Sequence, residues 1–417
     1  MMTTVLSEKM QSFLDGFPTP ENSLQLAAYN RLIELDFPTT RDEYWKYTRV
    51  GKISNSKYTL PEKSIRDLSI EQYIVSDQFI VIENGLVRLD LSQFNSSEFN
   101  IDFKDAEGLS ELADFNANLN NEDVFTQLNT AFFDEGIEIT IDNKAVIEKK
   151  LQLIYVSNGD AVLANNRLFI HAGKSSKSSI VITQIGESGE NCFNNLVTEV
   201  IVEDNAHFTI HKIQSDNDSN TQVATEQIAQ GDNSTFKINT VTLNGLLVRN
   251  NINIAVNGQN CSTYMNGAVI GKNNQHVDNH TFVDHRVPNC YSNENYKYVL
   301  DGKSTGVFNG RVVVQKDAQV INAYQNNGNI LLSDHASINS KPELEIYADD
   351  VKCSHGSTTG QLDEDALFYL QARGISKKNA KRILVSAFIG EVIESYEDET
   401  ITELIQQLLE KEHGWTF

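Results

Sequence analysis

Thr235-Phe236-Lys237-Ile238-Asn239-Thr240-Val241-Thr242-Leu243, followed at once by Asn244-Gly245, sets the texture of the middle of this chain. β-Branched and aromatic residues suit the pleated surface of a strand, and Asn-Gly readily supplies the positive φ of a tight turn. The same texture extends from about residue 145 to residue 346. Ser179 to Ile185, Leu196 to Val202 and Gly310 to Val314 repeat it, and Asn-Gly pairs begin at 158, 244, 257, 266, 309 and 327. Many short strands with frequent turns predict an all-β architecture, which a sandwich, a barrel or a β-solenoid would satisfy. The length of the tract and its asparagine-rich turns favour the solenoid, although no strict repeat is present. Proline is absent between Pro61 and Pro288, so little blocks continuous ladders.

The flanks read differently. Thr19-Pro20 is a helix-start signal, and Leu24, Ala27, Ala28 and Leu35 recur at helical spacing before Pro38. Between residues 57 and 144 the pattern is mixed, with an apolar run Phe79-Ile80-Val81-Ile82 ending at Asn84-Gly85 and a helix-like stretch from about Glu122 to Phe133. After Gly360, Asp363 can cap a helix carrying Ala366, Leu367 and Leu370 that closes at Gly374. Ser376 can cap a second helix with Ala380, Ile383, Leu384, Ala387 and Phe388 on one face. A third carries the stripe Ile401, Leu404, Ile405, Leu408 and Leu409. The chain therefore divides into a helical region (1–56), a mixed α/β region (57–144), a β core (145–356) and a C-terminal helical domain (357–417).

Lys plus Arg total 34 against 57 Asp plus Glu in 417 residues, a formal charge of -23. Nucleic-acid binding needs a cationic surface, so this balance argues against it; an acidic surface serves solubility first. Residues 1–8 lack the cationic start and apolar run of a secretory signal, and no stretch approaches membrane-spanning length. A cytoplasmic protein with no membrane partner is expected. The four cysteines, Cys192, Cys261, Cys290 and Cys353, form no CxxC pair and are expected to be reduced thiols. Gly302-Lys303-Ser304-Thr305 and Gly173-Lys174-Ser175 imitate the end of a phosphate-binding loop. The earlier glycine of that motif is replaced by Lys297 and Leu168, so neither should bind ATP.

Two constellations carry candidate chemistry. His276, Asp278 and His280 alternate onto one strand face and are a plausible divalent-metal set, while His285 points to the opposite face. Polar residues on a solenoid strand alternate in the same way for purely structural reasons. Cys353 and His355 also share one strand face, about 7 Å apart. Two ligands leave a tetrahedral metal half-coordinated, so a complete site would need groups from elsewhere, and a subunit interface is an attractive source. Lys352 and His355 are both expected to favour the thiolate of Cys353, His355 more so because Lys352 faces away. A Cys-His protease dyad is disfavoured, since i and i+2 on one strand give poor geometry for general-base activation.

The stretch Lys341-Pro342-Glu343-Leu344-Glu345-Ile346-Tyr347-Ala348-Asp349-Asp350-Val351-Lys352-Cys353-Ser354-His355-Gly356 closely resembles the SufB/SufD family of iron–sulfur assembly proteins. The likeness continues through Gly360-Gln361-Leu362-Asp363, Ala366 to Leu370 and Arg373-Gly374-Ile375. It extends backwards through Phe308-Asn309-Gly310, Asn322 to Gln325 and His276 to Thr281, with Trp45-Lys46-Tyr47-Thr48 as a lone N-terminal match. Cys-Ser-His-Gly looks like the SufD branch, whereas SufB typically carries a Cys-Thr-His-Glu type sequence; Ser357 and Thr359 depart from the usual Ala and Val without evident chemical consequence. The resemblance implies a right-handed parallel β-helix between N- and C-terminal helical domains. It implies a heterodimer with a SufB-like subunit through the β-helix, C-terminal helices that dock a SufC-like ATPase, and a homodimer as an option for the isolated chain. It also implies a non-catalytic scaffold in which His355, with Cys353, meets transient iron or an iron–sulfur cluster at the partner interface, none being stably bound by the isolated chain. Two rivals stand beside this reading. One is a β-helix carbohydrate-active enzyme using acids such as Asp349 and Asp350; the other is a metal-dependent enzyme built on His276, Asp278 and His280.

Overall fold

Two strands per coil, one in each of two facing sheets, generate a parallel β-solenoid of about eight turns. The computed structural model describes residues 7–414 except 64, 66, 96, 97, 113, 118 and 121, so the reading of residues 1–6 lies outside the described residues. One sheet runs, in spatial order, β2 (Leu86–Val87), β1 (Gln78–Glu83), β5 (Leu151–Asn158), β7 (Lys177–Ser188), β9 (His207–Ser215), β11 (Thr235–Asn244), β13 (Ser262–Gly271), β15 (Tyr291–Leu300), β17 (Ile321–Leu331) and β19 (Val351–Gly360). The other runs β3 (Asn100–Lys104), β4 (Gly136–Ile141), β6 (Leu163–Ala172), β8 (Phe193–Val202), β10 (Thr221–Gln230), β12 (Leu247–Val256), β14 (His276–His285), β16 (Thr305–Val314) and β18 (Ser337–Ile346). We call them the odd and even sheets. The parallel ladders begin before the change of texture at residue 145, because β1 pairs with β5 and β4 with β6.

The ends differ. At the first coil, the outermost strands are short, β2 of two residues and β3 of five, and both run antiparallel to their neighbours. At the last coil, β18 and β19 are edge strands that no described strand covers. Edge strands present unpaired N–H and C=O groups, a template for another chain.

Inward side chains fill the space between the sheets with columns such as Ile210, Ile238 and Met265, each directly above the last in register. One corner of successive coils is turned by a residue with φ near +60°: Ser175, Asn205, Asn233, Asn260, Asn289 and Val320. Asparagine tolerates this left-handed conformation far better than a β-branched residue does, which makes Val320 in the last coil the strained member. Only three of the six Asn-Gly pairs lie at turns. Asn266-Gly267, Asn309-Gly310 and Asn327-Gly328 lie inside β13, β16 and β17. A Cβ on Gly267 would stand 2.2 Å from the Tyr296 ring, so that glycine makes room for a buried aromatic rather than a turn.

The helices cover opposite outer faces of the solenoid. Helices α1 (Glu8–Leu14), α2 (Ser23–Glu34), α3 (Gly51–Ser54) and α5 (Val124–Phe132) lie over the even sheet, where Phe13, Leu32, Trp45, Phe125 and Leu128 pack against Leu163, Phe193, Val223 and Leu247. The fourth helix, α4 (Ala106–Ser110), joins a smaller cluster with Phe133 and Phe169. Helix α2 starts at Ser23 rather than at Pro20, because the side chain of Asn22 accepts from the N–H groups of Leu24 and Gln25.

At the C-terminus, α6 (Glu364–Ala372), α7 (Lys377–Glu394) and α8 (Glu399–His413) are capped by Asp363, Ser376 and Asp398. The stripe Ile401, Leu404, Ile405, Leu408 and Leu409 is buried on the odd sheet with Ile213, Val241 and Ile270, each such side chain contributing about 1.5–3 kcal/mol. Helix α7 presents Val385, Ile389 and Val392 to the sheet and leaves Ile383 46% exposed, so its buried face is rotated from the one its sequence suggests. Helix α6 buries no residue fully and exposes Phe368 and Tyr369. Among the described residues, no helix is long and apolar enough to cross a membrane.

Candidate functional site

Strand β19 places Cys353 opposite Ala323 and His355 opposite Gln325 of β17. Ala323 and Gln325 are buried in the solenoid interior, so Cys353 and His355 project to the same inward side, as their spacing predicts. No further coil covers them, and His355 is exposed at the mouth of the lumen. Cys353 is half-buried against the apolar core. Burial pushes its thiol up, opposed only by a hydrogen bond with the backbone of Ala323. This corrects the expectation of a thiolate favoured by Lys352 and His355.

The column beneath His355 changes character along the solenoid axis. Ile210, Ile238 and Met265 are aliphatic; the last three coils carry Glu294, Gln325 and His355 in direct register. Glu294 is fully buried, and its Oε2 accepts from the Thr281 hydroxyl at 2.8 Å. Burial pushes the Glu294 carboxyl up to about 7, against the hydrogen bonds from Thr281 and Gln325 that favour its charged form. Gly310 faces this pair from the even sheet, with no side chain to fill the space. At the rim, the hydroxyls of Ser340 and Ser357 meet at 2.8 Å and bridge the two sheets. The column under His355 is thus apolar in the middle coils and polar where it opens, while the neighbouring interior column carries a buried network in which Lys212 pairs with Glu226 and, with Gln214, donates to Asn250.

Sequence reasoning singled out Cys353 and His355 but not Glu294, Gln325, Ser340 and Ser357. Strand register stacks Glu294 and Gln325 beneath His355, and the approach of the two sheets at the rim brings Ser340 to Ser357.

His276, Asp278 and His280 also share a face, the outer one of β14, and the N-terminal segment covers them. Thr48 Oγ1 lies 2.8 Å from His276 Nε2 and donates to Asp278. The Arg249 guanidinium donates to Asp278 Oδ2 at 2.7 Å, and His280 Nε2 lies 3.0 Å from Oδ1. Burial opposes the Asp278 charge, yet His280 and Arg249 together hold the carboxyl well below the usual range. Burial lowers both imidazoles, favouring their neutral forms. The Arg249 guanidinium carbon lies 3.7 Å from the centroid of the Trp45 ring. The carboxylate therefore has its countercharge from Arg249, and the set fastens Trp45 and Thr48 to the even sheet. Beside it, a cleft of about 910 Å³ is lined by Tyr44, Trp45, Arg249, His280 and Arg311 among others.

The other motifs have plain places. Gly173-Lys174-Ser175 and Gly302-Lys303-Ser304 are corners between strands, without the strand–loop–helix context of a phosphate-binding loop. Asp349 and Asp350 sit in the exposed turn before β19 rather than on a strand.

The SUF system FeS cluster assembly, SufBD core domain, matches residues 155–388. An iron–sulfur cluster assembly SufBD family protein of Synechocystis is 29% identical over 88% of this chain and 85% of its own length. The iron–sulfur cluster assembly protein SufD of Escherichia coli is 25% identical over 90% of this chain and 89% of its own. A chloroplastic protein of Arabidopsis thaliana, ABCI7, is 28% identical over 95% and 88%.

Proposed function

This chain belongs to the SufBD family of iron–sulfur cluster assembly proteins, and on that footing we propose that it is a SufD-like scaffold subunit rather than an enzyme. In this reading the open edge of β18 and β19 pairs with a SufB-like subunit, and iron or a nascent cluster is the cargo met at that seam. The observation that carries it is the polar mouth: Glu294, Gln325 and His355 stack in one column that ends, uncovered, on an edge strand. A scaffold that must release its cargo gains from supplying only part of the ligand set, and His355 with Cys353 is such a part. Helix α6, with Phe368 73% and Tyr369 57% exposed, supports docking of a SufC-like ATPase, which would supply ATP hydrolysis.

Co-expression with SufB-like and SufC-like subunits, followed by affinity purification and iron and sulfide analysis, tests the proposal. The three chains should co-purify, and His355→Ala should cut cluster assembly while leaving the complex intact. Failure to co-purify, or undiminished assembly by the variant, would overturn it.

A further inference from the structure

Cys261 and Cys290 occupy the same corner of consecutive coils. The Tyr291 N–H donates to the Cys261 carbonyl at 2.9 Å, so the two cysteines are direct neighbours in the ladder between β13 and β15. Adjacent strands lie about 4.8 Å apart, inside the Cα separation of roughly 4.4–6.8 Å that a disulfide tolerates. Both thiols converge on one acceptor: Cys261 Sγ lies 3.0 Å and Cys290 Sγ 3.4 Å from the carbonyl oxygen of Gly258. The Ser234 hydroxyl lies 3.5 Å from Cys261 Sγ. Though buried, the pair is shallow, since Gln259, Asn260 and Asn289 beside it are exposed. Neither other cysteine has such a neighbour: Cys353 stacks on Ala323, and the Cys192 N–H donates to the Asn220 side chain of the next coil.

We propose that Cys261 and Cys290 form an oxidisable dithiol, a modification site at which a hydroperoxide closes a disulfide between adjacent coils. The neighbouring Cys290 thiol holds Cys261 below the usual thiol range, while the same contact pushes Cys290 up. The Ser234 hydroxyl beside Cys261 Sγ can donate to a thiolate there, which makes Cys261 the attacking sulfur. Its thiolate forms an S–O bond as the peroxide O–O bond breaks, and the departing oxygen takes a proton to leave as water or alcohol. The Cys290 sulfur then attacks the sulfenic acid; the S–S bond forms, the S–O bond breaks, and the Cys290 proton leaves with hydroxide as water. Two electrons have passed from the sulfurs to the peroxide. Thiol–disulfide exchange with a small thiol reverses the step.

The full chain is purified with all four cysteines reduced, treated with hydrogen peroxide, alkylated and digested. Two thiols should become unreactive, the intact mass should fall by that of two hydrogens, and one crosslinked peptide should join Cys261 to Cys290, all reversed by dithiothreitol. In Cys290→Ser, Cys261 should instead be trapped as a sulfenic acid by a 1,3-dione probe. Serine already occupies this ladder position at Ser176 and Ser234, so the variant should fold, which circular dichroism checks. Four alkylatable thiols under conditions that oxidise glutathione, a crosslink through Cys353, or sulfinic acid without a crosslink would each overturn the proposal.

Discussion

Arg249 is sandwiched between Asp278, which it binds at 2.7 Å, and the ring of Trp45, whose centroid is 3.7 Å from its guanidinium carbon. A buried cation gains from both a countercharge and a π face; Asp278 supplies the first from the adjacent strand of the even sheet, and Trp45 supplies the second from the N-terminal segment. Asp278→Ala should cost about 3–5 kcal/mol in denaturant unfolding, because it leaves Arg249 buried and unpaired. Trp45→Ala should cost about 3–5 kcal/mol as well, mostly through lost packing. Chelator treatment should leave the melting temperature unchanged, since Arg249 already supplies the charge a metal would bring. A drop on chelation would revive a metal role for His276, Asp278 and His280.

Glu294 sets a pH dependence. Its folded-state pKa is raised from 4.5 to about 7, so the native state binds the proton more tightly than the unfolded chain. Its contribution to stability is therefore greatest below about 4.5, falls as pH rises to about 7, and is flat above that; the full span is on the order of 3 kcal/mol. Glu294→Gln should remove this slope and raise stability at pH 8. Urea midpoints across this range check it, and an unchanged slope would refute the assignment.

Gly267→Ala puts a methyl group 2.2 Å from the Tyr296 ring, in a strand where both neighbours are fixed. Overpacking of this kind costs about 1–3 kcal/mol. Adding Tyr296→Leu should recover part of the loss in a double-mutant cycle. Simple additivity would mean that the ring and the glycine do not share the same space.

Phe368→Asp with Tyr369→Asp should abolish co-purification of a SufC-like ATPase while shifting chain stability by less than about 0.5 kcal/mol, as expected for exposed sites. Retained ATPase binding would move its docking site away from α6.

The strands of the solenoid were legible because β-branched runs such as Thr235 to Leu243 follow a local rule. The order in which coils stack was not. The left-handed corners fall at uneven intervals, at Ser175, Asn205, Asn233, Asn260, Asn289 and Val320, so no fixed period announces which residue lies above which. Without register, Glu294 and Gln325 could not be connected to His355, although the shared face of Cys353 and His355 needed only alternation. Asn-Gly misled at 266, 309 and 327 because the glycine answers to a neighbouring coil rather than to its own turn. The exposure of Ile383 shows the same limit for helices: α7 rests on a broad sheet, and the sheet selects which apolar residues are covered.

The two ends of the solenoid offer a newcomer very different handholds. At the first coil the outermost strands are only two and five residues long and run antiparallel to those inside them, and short edge strands are one way proteins blunt edge-to-edge addition. At the last coil β18 and β19 each leave ten residues of parallel edge. A rod with one long adhesive end and one blunted end favours a capped pair over a fibre.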